Sequence, residues 1–277
     1  MTVTTENNRE SSVQTSLPMA FEEGDLDALR GAYFTLEHPS LAARLSNVVG
    51  TPIDMAIQLL PRSWYKRFHK ATERAIAKAL ETAVSSMRRQ QEDSAHEMYY
   101  KALVAGSGGV AGFFGLPGLL IELPVSTTLM IRGIAEIARD EGEDIHTSEA
   151  QLACVEVFAL GGKVESDDAA ETGYYGIRLA LSGYMSAAVA HVAQHGFHAD
   201  SGPIVFRLIH EVASRFGITV SQRAATQIVP VVGAVSAAAV NTIFMQHFQR
   251  MARAHFTVRR LERKYGEALV RSNYESF

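Results

Sequence analysis

The 277 residues carry 26 Lys and Arg against 30 Asp and Glu, a formal charge of −4, with 47% hydrophobic and 20% charged side chains. That length can bury one sizeable core, and the faintly acidic total excludes a global electrostatic pull towards nucleic acid, so no such partner is expected. The lone Cys154 excludes an internal disulfide framework, and the opening MTVTTENNRE lacks the basic start and apolar stretch of a signal peptide, so a reducing cytoplasmic setting is expected.

Residues 1–20, rich in Thr, Ser, Asn and Glu, hold too few apolar side chains to offset the entropy of ordering. They are expected to form a disordered tail before one helical domain over 21–277. From Trp64, the positions Phe68, Ala71, Ala75, Ala79, Ala83 and Met87 recur every three or four residues, which predicts a helix over 62–91. At 100° per residue Lys66, Arg67, Lys70, Arg74 and Lys78 fall on a neighbouring arc. Residues 62–91 hold eight basic and two acidic side chains, whereas 92–249 hold eight basic and seventeen acidic, so charge is polarised along the chain.

Residues 102–121, ALVAGSGGVAGFFGLPGLLI, are uncharged for twenty positions, long enough to span a bilayer. Six glycines, Pro117 and the following Glu122 all oppose insertion. Residues 224–245 are also uncharged but carry Gln227 and Asn241. Small residues four apart, Ala105 with Gly109, Gly108 with Gly112 and Gly233 with Ala237, let helix backbones approach closely. Three readings stay open: a buried helical hairpin in a soluble core, an interfacial or re-entrant hairpin, and spanning helices.

Ser148 with Gln151 reads as a capping box, and Gly161 with Gly162 sits where a helix should end. A stripe of Tyr174, Ile177, Leu181, Tyr184, Ala188, His191 and His195 predicts the next helix. Ser201, Gly202 and Pro203 would open a short one that Gly217 would close. Phe244, Phe248, Met251, His255, Val258, Leu261 and Tyr265 predict a last helix, with Arg250, Arg253, Arg260 and Lys264 mostly elsewhere on its turn. No pair of alternating runs is bounded by hairpin turns. The expected fold is all-α, a single-domain helical bundle with two Gly/Ala-rich uncharged helical segments.

Signals for chemistry are sparse. His191, His195 and His198 are spaced to share an ion but have no nearby Asp, Glu or Cys, and two of them lie on the packing stripe, so no metal is expected. His210 and Glu211 open HEVAS, which lacks the second histidine of a zinc-protease helix. GSGGVAGFFG has no preceding strand and no following Lys-Ser or Lys-Thr, so neither a nucleotide nor another cofactor is expected. No nucleophile elbow occurs and Cys154 lies among apolar helix positions, so no catalytic residue is assigned. Glu122 and Arg132 are ionisable groups in an apolar stretch; Glu122 is expected to support a helix N-terminus near Pro124, and Asn241 to join helices.

The block GSGGVAGFFGLPGLLIELPVSTTLMIRGIAEIARDEGEDI at 106–145 resembles the signature of the EcsC family of bacterial proteins. PVVGAVSAAAVNTIFMQHFQRMARAHFTVRRLERKYG at 230–266 resembles that family's C-terminal motif, and with LACVEVFALG at 152–161 between them the resemblance covers roughly residues 40–270. Gly109, Gly112, Glu122, Pro124, Arg132, Glu136, Gly233 and Asn241 carry the match, Glu122 standing where the pattern more often has Asp. The resemblance implies a bacterial protein with a membrane-associated role, whose namesake is encoded beside components of an ABC transporter, and no established reaction. The expectation is therefore an accessory protein, cytoplasmic and peripheral to the inner membrane, whose partners are an anionic membrane surface and a membrane protein or transporter. Lys66, Arg67, Lys70, Arg74 and Lys78 would bind the membrane, and Phe113, Phe114 and Leu116 would anchor it. Arg250, Arg253, Arg259, Arg260, Arg263 and Lys264 would add charge after the second segment. Two alternatives are a hydrolase of lipid or peptide using Glu122 as acid or base, and a helical module lining a pocket for an acyl chain.

Overall fold

A helix that is apolar on every side has no face to offer water and is stable only when surrounded. SEAQLACVEVFAL is such a sequence: in the helix Ser148–Leu160 every residue from Ala150 to Leu160 is buried. The rest of the fold follows from covering it. The computed structural model describes residues 21–87, 115–162, 173–195, 202–228 and 234–277, and the tail 1–20 lies outside them.

In chain order the helices are α1 (Glu23–Glu37), α2 (Leu41–Val49), α3 (Ile53–Gln58), α4 (Arg62–Met87), α5 (Gly115–Asp140), α6 (Ser148–Leu160), α7 (Tyr174–His195), α8 (Gly202–Ala225), α9 (Ala234–Tyr265) and α10 (Glu267–Tyr274). The fold is an all-α, single-domain bundle with no strand among the described residues. Helices α4, α5, α7, α8 and α9 surround α6. The most extensive pairing is α4 with α5, while α1, α2 and α10 pack on the long α9.

The stripe on α4 buries Phe68, Thr72, Ala75, Ile76, Ala79 and Leu80. That on α9 buries Phe244, Phe248, Met251, His255, Val258 and Leu261. The stripe on α7 drifts: Tyr174, Ile177, Leu181 and Ala188 are buried, but Tyr184 and His195 are exposed and Val192 takes the inward place. An α-helix turns 3.6 residues, so a strict alternation of three and four rotates off a straight neighbour.

Several boundaries differ from the sequence expectation. The helix from Gly202 runs through Gly217 to Ala225, because Phe216, Thr219, Val220 and Arg223 continue its buried face; one glycine costs only about 1 kcal/mol against that burial. The cap of α6 is Thr147, one residue before Ser148, whose hydroxyl accepts from the Ala150 N–H at 3.2 Å. Gln151 instead donates to the Ile145 carbonyl at 3.1 Å. Gly161 does end α6, but in right-handed conformation with φ −78°. It is needed for space, since a Cβ there would lie 2.8 Å from His247 and 2.9 Å from Phe248.

Pro124 does not begin a helix; it lies inside α5, which starts at Gly115 with φ +58°. A proline there removes the hydrogen bond to the Leu120 carbonyl, at a cost of about 3 kcal/mol. Burial of twelve residues along α5 offsets it. Of the two uncharged segments, residues 115–121 belong to α5, and 224–228 and 234–245 belong to the end of α8, its following turn and the start of α9. Helices α5 and α9 pack together.

Candidate functional site

The outer face of α4 carries its charge in the open. Lys66, Arg67, Lys70, Arg74 and Lys78 are all exposed, and Lys78 reaches Glu81 at 3.0 Å along the same helix. Lys66, Lys70 and Arg74 have no ion-pair partner among the described residues. The Arg67 guanidinium lies 5.0 Å from the centre of the Trp64 ring, which holds it over the first turn. Just before the arc, Met55, Leu59 and Tyr65 are exposed at 61%, 68% and 41%. Of the expected anchors, Phe113 and Phe114 lie outside the described residues, and Leu116 packs against the core.

The cations at the end of α9 are arranged differently. Arg259 pairs with Glu143 at 2.8 Å and Glu149 at 3.1 Å, Arg260 with Glu141 at 2.8 Å and Asp25 at 3.3 Å, and Arg263 with Glu143. Lys264 reaches Asp25 at 2.8 Å and Glu22 at 2.9 Å. These side chains tie α9 to α1 and to the α5–α6 connection. They do not present the free positive charge that the sequence suggested for docking. Arg250 and Arg253 line an open groove of about 300 Å³ between α1 and α9, floored by small side chains.

Glu122 does not cap a helix start. It sits in the second and third turns of α5, buried, and its Oε2 accepts from Arg223 Nη2 at 2.7 Å. The same guanidinium donates to Asn241 Oδ1 at 3.1 Å and to Ser126 Oγ at 3.4 Å, and lies 4.9 Å from the Phe244 ring centre. One charge-balanced cluster thus joins α5, α8 and α9. Arg132 and Glu136 lie further along α5, half-buried. Gly109, Gly112 and Gly233 lie outside the described residues. Arg223 was missed in the sequence, although its spacing from Val212, Phe216 and Thr219 places it on the buried stripe of α8.

A second buried polar chain was not foreseen. Arg178 donates to Glu262 at 2.6 Å and to the Tyr174 hydroxyl at 3.3 Å, and that hydroxyl meets His255 Nδ1 at 3.0 Å. His255 Nε2 points at Glu156 Oε2, 3.8 Å away. Burial pushes the Glu156 carboxyl up to about 6 and holds His255 well below its ordinary range. A neutral His255 with its proton on Nε2 accepts from Tyr174 and faces Glu156, which accounts for the chain. Glu37 closes it by accepting from the Tyr174 N–H and the Tyr274 hydroxyl, both at 2.9 Å. With Tyr174 and His255 fully buried, this chain joins α1, α6, α7, α9 and α10.

Histidines meet elsewhere than the sequence suggested. His191 and His195 stack with ring centres 4.6 Å apart on the outer part of α7, and His198 lies outside the described residues. His210, whose own helix offers no second histidine at HExxH spacing, meets His69 and Glu73 of α4: Glu73 Oε1 lies 2.8 Å from His210 Nδ1 and 3.4 Å from His69 Nε2. Cys154 is buried, and burial pushes its thiol up to about 12, which leaves it inert packing at neutral pH.

Compared with known proteins, the chain matches the model of the EcsC protein family over residues 26–261. The match takes in most of α1 and ends before α10. No curated protein and no solved structure matches the chain.

Proposed function

We propose that this chain, which belongs to the EcsC protein family, is a peripheral accessory protein that docks on the anionic inner face of a bacterial membrane through the outer surface of α4. The observation that carries this reading is the exposed row Lys66, Arg67, Lys70 and Arg74, continued by Lys78, whose pairing with Glu81 stays on the same helix, whereas the cations of α9 are paired with carboxylates of other elements. Near an anionic leaflet each such side chain contributes about 1 kcal/mol, so four engaged together contribute about 4 kcal/mol, screened over a Debye length of about 10 Å at 0.1 M salt. Met55, Leu59 and Tyr65, exposed where α3 leads into α4, offer apolar contacts beside the expected anchors Phe113 and Phe114.

Peripheral docking fits α5 better than insertion does. That helix is the one described element long and apolar enough to cross a membrane, but just over half of its most apolar window is buried within the bundle. Its Glu122 is committed to Arg223, on a different helix. The same pairing occupies the Oε2 of the carboxylate that the hydrolase alternative would use, with Arg223 Nη2 at 2.7 Å. Fractionation of expressing bacterial cells tests the reading: the protein should enter the membrane pool at low salt, leave it in high salt, and be fully released by carbonate. Retention after carbonate would indicate insertion, and absence from the membrane pool at low salt would remove the proposal.

A further inference from the structure

We propose that His69, Glu73 and His210 form a binding site for a divalent transition-metal ion of the zinc type, with one coordination position left open. His69 and Glu73 lie four residues apart on α4, so their side chains leave the same side of that helix one turn apart. His210 comes from α8, which packs directly against α4. The three ligand atoms all lie within 4.8 Å of one another. Zinc binds imidazole nitrogen and carboxylate oxygen at about 2.0–2.2 Å, which in a tetrahedron sets ligands about 3.4 Å apart. Of the separations from Glu73 Oε1, that to His69 Nε2, 3.4 Å, already matches that spacing, and that to His210 Nδ1, 2.8 Å, is shorter.

Two histidines and one glutamate match the ligand set of zinc sites that keep a fourth position for water or substrate. Exposure agrees, with side chains 37%, 18% and 50% accessible for His69, Glu73 and His210. The site also lies on the shoulder of α4, between the buried stripe and the arc of Lys66, Lys70 and Arg74. A dipositive ion held by a single carboxylate keeps a net positive charge, and those cations add to it. The open position therefore favours an anionic oxygen ligand.

The competing account is a carboxylate bridging two imidazoles without any ion. Untagged full-length protein titrated with zinc chloride at neutral pH separates the two. The expected result is saturable binding of one ion per chain, with a thermal midpoint that rises with zinc concentration as mass action requires. His69→Ala, His210→Ala and Glu73→Gln should each weaken binding by more than about 100-fold, beyond what loss of an outer partner costs, while His191→Ala binds as the wild type does. Metal-free midpoints of these variants report whether the fold is intact. Absence of saturable binding by folded wild type, or binding unchanged by His69→Ala and His210→Ala, would overturn the site.

Discussion

The outer face of α4 and the last three turns of α9 have similar density of positive charge but opposite surroundings. On α9, Arg259, Arg260, Arg263 and Lys264 each reach at least one carboxylate of α1 or of the α5–α6 connection. On α4, Lys66, Lys70 and Arg74 reach none among the described residues. A run of cations is therefore ambiguous until its partners are placed. Paired and partly buried, it joins helices; unpaired and exposed, it raises the local potential and can draw an anionic surface. The acidic residues that decide the matter lie more than 100 positions away in sequence from their α9 partners.

The deepest ion pair bounds this comparison from one side. Glu122→Ala leaves the Arg223 guanidinium buried without its counter-charge, which costs about 3–5 kcal/mol. The thermal midpoint should fall by roughly 10 °C. Replacing both partners by methionine should recover most of that loss, because the desolvation of two ions is removed with them. A small effect of Glu122→Ala would show that the pair is not the clamp between α5 and α8.

One step outward, Arg259→Ala removes the contacts to Glu143 and Glu149 and should lower stability by about 1–3 kcal/mol, read by denaturant unfolding. Acid should expose the same network. The hydrogen bond from Lys264 holds the Asp25 carboxyl below its ordinary 3.8. Burial pushes the Glu143 carboxyl up, but Arg259 and Arg263 outweigh it and hold it below 4.5. Both groups are more acidic folded than unfolded, so their contribution is complete above those ordinary values and is lost as pH falls through the folded ones. Thermal midpoints should drop below about pH 4.5, and Arg259→Ala should flatten that drop. The smallest effect belongs to α4: changing Lys66, Arg67, Lys70 and Arg74 together to Gln should move stability by no more than about 0.5 kcal/mol per site and leave the acid response unchanged. A large loss would place these side chains in the α9 class.

The fold class was legible because helical periodicity is local. The buried face of α9 follows the stripe from Phe244, and that of α4 takes in Phe68, Ala75 and Ala79 of the stripe from Trp64. Helices α1 and α2 were not singled out, although Leu29, Ala32 and Leu36, and Leu41, Leu45 and Val49, recur at helical spacing and are buried. The helix ends were misplaced wherever a tertiary contact overrode a local rule, as at Gly217 and Pro124. Pairings across the fold could not be read at all. Glu122 is 101 residues from Arg223, and His210 is 137 from Glu73, so neither partner lies within the reach of helical spacing. His210 was set aside for lacking a second histidine on its own helix, when the other two groups stand on α4.

Liposome co-sedimentation of two variants side by side tests the central distinction most directly. One carries Gln at Lys66, Arg67, Lys70 and Arg74; the other carries Gln at Arg260 and Arg263, the more exposed of the paired α9 cations, with both variants kept well below their thermal midpoints. Wild type should pellet with anionic vesicles at low salt, and neither with neutral vesicles nor at high salt. The α4 variant should remain in the supernatant while melting like wild type. The α9 variant should melt earlier yet pellet as wild type does. Equal pelleting of wild type with neutral and anionic vesicles, or an α4 variant that still pellets, would contradict the account.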